Sequence, residues 1–316
     1  LILKVAFMIC ANQTFSQDPE FVQFYSNPLY LNPAFAGTNN CPRISANNRI
    51  QWSGLPKVFN TTSFSFDQHI NALHGGLGVI IINDKLSSSM QNIKVSGIYS
   101  YETILSKKIH LRTGLEAALW QNKLNYDQLN FVDNIDPLRG FVNSTSNFGY
   151  NDSKVGFDFS AGFILYTNKI FFGASTHHLT EPIQSNLSND SKLDRKYTLK
   201  LGYHYTILNN KSQLNKNPLI ISPNIIWKMQ GWNKQLNIGM YAEKGPYTAG
   251  FWYRDNKNYS LIFGAKIGLV KFGYSYGVNL SRLYVASAGS HEISMQINLV
   301  CDNKNKLYKT LSCPSF

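Results

Sequence analysis

Apolar and polar residues alternate along most of this chain with a period of two. Between residues 154 and 167, for example, Phe157 and Phe159 are separated by Asp158 and followed by Ser160. A β-strand sends successive side chains to opposite faces. The pattern therefore predicts strands that have one apolar face and one polar or small face.

The same alternation recurs from residue 43 to residue 299, and counting its segments predicts roughly fourteen strands, an even number typical of a single-chain barrel. The predicted segments lie near residues 43–52, 59–67, 75–83, 93–103, 108–120, 154–167, 170–178, 197–207, 219–229, 236–241, 247–254, 261–268, 270–277 and 293–299. We expect each strand to be about 9–11 residues long, which is enough to cross a bilayer at a tilt.

Alternation alone fits either a soluble sandwich or a barrel whose apolar face contacts lipid. Three features favour lipid: glycines recur on the polar face, the segments have the length of a membrane crossing, and aromatic residues stand near segment ends. These aromatics, expected in interfacial girdles, are Tyr166, Tyr205, Trp227 and Tyr253. We predict an all-β fold: a closed antiparallel transmembrane β-barrel of the bacterial outer membrane, with an N-terminal non-strand segment.

Connections of two lengths separate the predicted strands. Residues 167–169 and 245–246 form tight turns, whereas residues 125–153, 180–195 and 280–290 form long connections. An N-terminus on the periplasmic side places these three long connections outside the cell, where barrels carry their longer loops. Residues 126–150 are rich in aromatic and acidic residues, and either grip a secreted partner or fold over the barrel mouth.

The composition excludes several other classes. Charged residues make up only 15% of the 316 residues, while aromatic residues reach 14%, and the mean hydropathy of -0.21 argues against a helical membrane protein. The net charge of +12 comes from scattered Lys and Arg residues. Because no basic block or DNA-binding spacing occurs, we expect no nucleic-acid partner, and basic turns that face anionic lipid instead.

The two ends of the chain differ from the barrel region. Residues 1–16 contain an apolar run followed by small polar residues, and are expected to be a secretory signal peptide. The predicted domains are then residues 17–42 as an N-terminal motif segment, 43–300 as the barrel and 301–316 as a C-terminal tail. Cys41, Cys301 and Cys313 remain after cleavage. Disulfides can form in this compartment, but the sequence does not select a pairing.

The segment after the signal, QDPEFVQFYSNPLYLNPAFAG at residues 17–37, has no strand period. Its many aromatic side chains need to be buried, either in the barrel lumen or against the periplasmic mouth. Its sequence closely resembles the opening motif of the PorP/SprF-like membrane proteins of the type IX secretion and gliding-motility system. Arg49-Ile50-Gln51-Trp52 resembles that family's R-x-Q-W signature, and residues 75–78 resemble its glycine-rich third strand.

The resemblance extends over the whole mature chain and implies particular partners. These are outer-membrane lipid, type IX secretion components and a secreted adhesin that carries a C-terminal sorting domain. We expect eight residues of the two motifs to form a shared site that either docks a partner or fills the lumen as a plug. They are Phe21, Phe24, Tyr25, Asn32, Pro33, Arg49, Gln51 and Trp52.

Charged and titratable residues also occur on the polar face of the strands. They are Arg112, Glu116, Asp158, Lys200, His204, Glu243, Arg254 and Lys266. Charges excluded from lipid have to pair elsewhere, so we expect these side chains to face the lumen and mainly pair with one another. The alternative is that they bind a substrate or a plug segment.

We expect no catalytic, cofactor or metal site. His291-Glu292 lacks the second histidine of a zinc-protease motif. His177 and His178 are adjacent, and adjacent strand residues point in opposite directions. The predicted function is therefore an outer-membrane barrel of the type IX secretion and gliding system that anchors or helps export an adhesin-like surface protein. The alternative is a channel for small hydrophobic or anionic solutes.

Overall fold

Fourteen antiparallel strands form a closed barrel in the computed structural model of the chain. The structure describes residues 18–39, 41–55, 59–87, 89–125, 135–136, 140–141, 153–184, 192–207, 218–255, 257–280 and 288–300. The barrel strands are β1 Arg43–Gln51, β2 Phe59–Ile70, β3 Gly75–Leu86, β4 Met90–Ser106, β5 Ile109–Leu124, β6 Ser153–Tyr166, β7 Ile170–His177, β8 in two pieces (Lys196–Tyr203 and Tyr205–Ile207), β9 Leu219–Gln230, β10 Asn233–Lys244, β11 Tyr247–Arg254, β12 Asn258–Ile267, β13 Val270–Asn279 and β14 Ser290–Asn298.

Each strand pairs with the next one along the chain, and the first strand pairs with the last. The β1–β14 ladder runs from Arg43 opposite Asn298 to Gln51 opposite Ser290. A closed barrel leaves no exposed sheet edge, which hydrocarbon could not satisfy with hydrogen bonds. The predicted fold class is confirmed. Two very short strands, Ile135–Asp136 and Gly140–Phe141, pair with each other apart from the barrel.

The barrel is apolar outside and largely polar inside. Leu115 and Phe157 project outward with 65% and 68% of their surface exposed. Their neighbours Glu116 and Asp158 are buried on the inner face. This arrangement reverses that of a soluble domain and matches a barrel whose outer band contacts lipid. In the part of the chain that the structure describes, no helix is long and apolar enough to span a bilayer.

One aromatic residue faces the opposite way from our prediction. Tyr166 was expected in an interfacial girdle, but its side chain is 1% exposed and donates a hydrogen bond to Glu102 at 2.7 Å. It lies opposite His110 in the β5–β6 ladder, and the two rings stack. A one-residue difference in counting along a strand moves a side chain to the other face, so Tyr166 belongs to the lumen.

The two rims of the barrel carry different connections. One rim, which we call the short-turn rim, carries short turns between neighbouring strands. They are residues 71–74, 107–108, 167–169, 245–246 and 268–269. Because strands alternate in direction, the connections that follow β5, β7 and β13 lie on the other rim, which we call the long-loop rim. Antiparallel outer-membrane barrels carry such longer loops on the cell exterior.

Residues 18–39, which we call the plug, occupy the lumen. They contain one helical turn, α1 Pro28–Leu31, followed by a 3₁₀ turn at Pro33–Phe35. The plug's apolar side chains pack against apolar residues of the inner wall. The buried plug residues include Phe21, Val22, Phe24, Leu29, Leu31, Ala34 and Phe35. Cys41, just after the plug, is disulfide-bonded, and the other three cysteines lie outside the described residues.

Candidate functional site

The plug begins near the long-loop rim and runs down the lumen to the short-turn rim. Asp18 contacts His178 and Lys196, which stand at the long-loop ends of their strands. Gly37 contacts Arg112 and Asp67, which lie near the short-turn ends of β5 and β2. The chain therefore crosses the lumen before it enters β1.

A buried charge network holds the start of the plug. His178 Nε2 lies 2.9 Å from Asp18 Oδ2, and His178 Nδ1 lies 2.7 Å from Asp158 Oδ2. Lys196 Nζ donates to the same Asp18 oxygen at 3.1 Å. Burial alone would raise the pKa of Asp18, but the charges of His178 and Lys196 outweigh it and hold this pKa well below its usual value.

His178 is protonated in this network. Burial lowers the pKa of its imidazole, but the Asp18 charge and the hydrogen bonds to Asp158 and Asp18 prevail and raise the pKa to about 9. Both ring nitrogens therefore donate. The backbone φ of His178 is +59°, outside the strand region. This turn places His178 in the lumen beside His177, against our expectation that the two would face opposite ways.

Glu20 forms the second charged contact of the plug. Its carboxylate accepts from Lys228 Nζ at 3.0 Å, Gln235 Nε2 at 3.1 Å and Arg254 Nη2 at 2.8 Å. Burial would raise the pKa of Glu20, but the charges of Arg254 and Lys228 lower it far below the usual value. The Arg49 guanidinium donates to the Glu20 backbone carbonyl. Four strands thus meet at one plug residue.

The middle of the plug is held by hydrogen bonds and aromatic contacts. The Glu292 carboxylate accepts the backbone N–H groups of Val22 at 2.6 Å and Gln23 at 3.1 Å. The Phe24 ring packs edge-on against Trp252 at 4.7 Å. These contacts satisfy backbone donors that would otherwise be buried without a partner.

Asn32 joins the plug to the backbone of two strands. Its Nδ2 donates to the carbonyl oxygens of Phe163 at 3.0 Å and Ala174 at 2.9 Å. Its Oδ1 accepts the Ala34 N–H at 2.9 Å and so caps the 3₁₀ turn. A side chain with both a donor and an acceptor group is needed for this arrangement.

The end of the plug at the short-turn rim lies directly against the barrel wall. Asp67 accepts the Gly37 N–H at 2.8 Å and also pairs with Arg43 through both carboxylate oxygens. Arg112 Nη1 donates to the Gly37 carbonyl at 2.9 Å. Gly76 has no side chain where the carbonyl of Ala36 passes. This contact explains one of the lumen-side glycines that the sequence presents.

The eight motif residues are divided between the plug and a cavity at the long-loop rim. Phe21, Phe24, Tyr25, Asn32 and Pro33 are buried within the plug. The remaining three, Arg49, Gln51 and Trp52, line a cavity of about 410 Å³ at the long-loop rim. We call this cavity the vestibule, and its floor includes Asp18 and Glu20. Trp52 is 38% exposed and contacts Phe59 rather than the plug.

The eight expected lumen charges are not equivalent. Four of them are buried: Arg112, Glu116, Asp158 and Lys200. His204, Glu243 and Arg254 are half-buried, while Lys266 is exposed near the strand end. Glu116 pairs with Lys94 on the wall at 2.8 Å, whereas Arg112 and Arg254 contact the plug. The wall charges therefore serve both wall pairing and plug binding.

Sequence reasoning missed several residues that hold the plug. They are Asp18, Glu20, Lys196, Lys228 and Glu292. Lys196 shares its strand face with the predicted Lys200, so the alternation contained a usable signal. Within the described ranges, no group of three or more His, Cys, Asp or Glu side chains is placed to hold a metal ion.

A closed antiparallel barrel with an apolar exterior and a polar lumen is an outer-membrane β-barrel protein. The model of the type IX secretion system membrane protein family PorP/SprF matches residues 13–297. The chain therefore belongs to the PorP/SprF family, and its location is the outer membrane. No curated protein sequence matches it.

The chain is similar to solved outer-membrane barrels at low sequence identity. The toluene transporter TbuX of Ralstonia pickettii is 11% identical with a TM-score of 0.51, over 87% of this chain and 94% of that one. The toluene transporter TodX of Pseudomonas putida is 10% identical with a TM-score of 0.47, over 91% and 98% of the two chains. Acinetobacter baumannii Omp33 is 7% identical with a TM-score of 0.43, over 83% and 100%.

Proposed function

We propose that this barrel anchors, or helps export, an adhesin-like surface protein of the type IX secretion and gliding system. The observation that carries the proposal is family membership over residues 13–297, combined with a lumen filled by the chain's own plug. A filled lumen suits a protein that presents a docking surface better than one that passes solutes.

The vestibule is the docking site that we assign to the partner. It lies at the long-loop rim and brings the R-x-Q-W residues Arg49, Gln51 and Trp52 next to the plug. In this proposal residues 1–16 are a signal peptide, 17–42 the plug region, 43–300 the barrel and 301–316 a tail.

Co-purification tests the proposal. The protein is extracted from outer membranes in mild detergents, and associated proteins are identified by mass spectrometry. We expect type IX components and a surface protein with a C-terminal sorting domain. Failure to recover any secretion-pathway protein in several detergents would contradict the proposal.

A matched pair of tryptophan variants locates the contact. Trp52→Ala changes the vestibule, whereas Trp232→Ala changes a residue that is 86% exposed and does not line the vestibule. We expect the first variant to lose the surface protein and the second to retain it. Equal recovery with both variants would exclude the vestibule as the docking site.

A second candidate is a channel for small hydrophobic or anionic solutes. The vestibule is a polar cavity at the long-loop rim, and Arg49 and Arg254 line it together with the acids Asp18, Glu20 and Asp84. Solute-dependent conductance or uptake by the purified barrel, with no protein partner in the membrane extract, would support this alternative. A conductance that no solute alters, together with recovery of a secreted protein, would support the docking role.

A further inference from the structure

Three cations of the barrel wall, two of them buried and one half-buried, depend on the plug for their counter-charge. In the described part of the chain, Lys196, Lys228 and Arg254 have no carboxylate within 4.0 Å except those of Asp18 and Glu20. The side chains of Lys196 and Lys228 are only 7% and 4% exposed. The plug therefore supplies the anions of a basic site built by three strands.

The wall's other buried ion pairs do not need the plug. Lys94 pairs with Glu116 on the neighbouring strand, and Arg43 pairs with Asp67. The three plug-dependent cations instead stand together at the long-loop end of the lumen, on β8, β9 and β11. Removing one partner of a buried pair is strongly destabilising, since an uncompensated charge remains in a low-dielectric site. Departure of the plug start therefore has an energetic cost, which another anion at this site would offset.

The vestibule gives a replacement access from the rim. Asp18 and Glu20 line it, and their side chains remain 17% and 19% exposed, more than the lysines behind them. The two acids are separated by one residue, Pro19, and contact different parts of the barrel wall. Asp18 meets β8 and His178, whereas Glu20 meets β9, β10 and β11.

We propose that the basic site of Lys196, Lys228 and Arg254 binds an acidic segment of the secreted surface protein, with the plug residues Asp18 and Glu20 as its resident occupant. The segment carries two carboxylates separated by one residue and displaces the start of the plug. The contact is autoinhibitory, because the tethered plug competes at an effective concentration of about millimolar. This inference rests on the proposed function for the kind of partner, but its test uses no secreted protein, so the two can fail separately.

The test uses the full chain with Asp18→Asn and Glu20→Gln, which leaves the basic site without its resident carboxylates. The probe is a labelled, capped peptide of residues 18–25, DPEFVQFY, and the control peptide is NPQFVQFY. We expect the double variant to bind the acidic peptide at least about tenfold more tightly than the neutral peptide. We also expect wild type to bind the acidic peptide at least about tenfold more weakly than the double variant does, because the resident carboxylates compete. Adding Lys228→Met and Arg254→Met should abolish the preference.

Equal binding of the two peptides by the folded double variant would overturn the proposal, as would a preference that survives loss of Lys228 and Arg254. Heat-modifiable gel mobility establishes that each variant is a folded barrel. If the double variant does not fold, the proposal is tested on the wild-type protein by protease cleavage. Millimolar acidic peptide should then increase chymotrypsin cleavage within the plug while the neutral peptide does not, and equal effects of the two peptides would refute the site.

Discussion

Gly114 allows the plug backbone to lie directly on strand β5. A Cβ atom at this position would stand 2.6 Å from Ala34 Cα and would also collide with the Pro33 carbonyl carbon. Both neighbours are backbone atoms, which cannot move aside like the end of a flexible side chain. The absence of a side chain at Gly114 is therefore a requirement of the plug.

Gly114→Ala is expected to destabilise the plugged state by about 1–3 kcal/mol, as overpacking generally does. Chymotrypsin cleavage within the plug, measured on the folded barrel, should become faster. Gly97→Ala is the matched control, because a Cβ at Gly97 meets nothing within 4 Å. Equal cleavage rates for the two variants would show that the plug does not rest on β5.

His178 makes the hold on the plug dependent on pH. Its pKa is raised from the ordinary 6.5 to about 9, so the protonated ring favours the plugged state. This stabilisation is complete below about pH 6.5 and is lost as the pH rises through about 9. Asp158 belongs to the barrel wall, so only the part of this pKa shift that Asp18 causes contributes to holding the plug.

Protease cleavage within the plug should accelerate between about pH 6.5 and 9, and His178→Gln should remove that part of the pH dependence. The difference between the wild-type and variant curves isolates His178 from other groups nearby, among them Asp18, Asp158, Lys94 and Lys196. Parallel curves for the two proteins would mean that His178 does not titrate in the plugged state.

The role of His178 also marks a limit of sequence reasoning at this scale. Alternation placed His177 and His178 on opposite faces, whereas the left-handed φ of His178 turns both into the lumen. A single backbone angle is set by tertiary contacts, here the carboxylates of Asp158 and Asp18. The period of the sequence contains no information about it.

The positions of the strands follow the sequence pattern more closely than the orientation of His178 does. The fourteen predicted segments correspond to the fourteen barrel strands, because the contrast between lipid and lumen is imposed on every second residue. Strand ends were less predictable. β4 and β5 have 17 and 16 residues, and β4 contains a register shift near Ile104 and Ser106 that interrupts the alternation there.

A charge on the outer face of a strand should cost more at mid-strand than at a strand end. Leu115, in the middle of β5, and Ile267, at the end of β12, are 65% and 68% exposed. Leu115→Arg is expected to destabilise the barrel by about 2–4 kcal/mol in lipid, and Ile267→Arg by about 0–1 kcal/mol.

Unfolding in urea from liposomes measures both values. The comparison is balanced because the two residues have nearly the same exposure and receive the same substitution. A larger cost at Ile267 than at Leu115 would mean that the apolar band is centred elsewhere on the barrel wall.

In the molecule as a whole, the plug was the least predictable feature. The sequence indicates that residues 17–42 lack a strand period and need to bury aromatic residues, which left the lumen and the periplasmic mouth as alternatives. The decision depends on contacts such as Asn32 with Phe163 and Ala174, residues more than 130 positions apart. A single sequence does not reveal such pairs.

Deleting residues 18–31 is expected to convert a poorly conducting barrel into an open pore. The deletion removes the part of the plug next to the long-loop rim together with α1, while β1 and its ladders remain intact. Planar-bilayer recordings should show larger, anion-selective conductance steps, since Lys196, Lys228 and Arg254 then line the path without counter-charges. Adding the 18–31 peptide should restore the low conductance, and an unchanged conductance after deletion would contradict a sealing role.

The direction in which the plug runs determines how the molecule responds to mechanical load. A force applied from outside the cell to the start of the plug meets its anchors in series: Asp18 first, then Glu20, later Asn32 and finally Gly37. Anchors loaded in series break one after another at modest tension. The β1–β14 ladder is loaded only after the last of these contacts has broken, so the plug would be extracted from the lumen before the barrel unfolds.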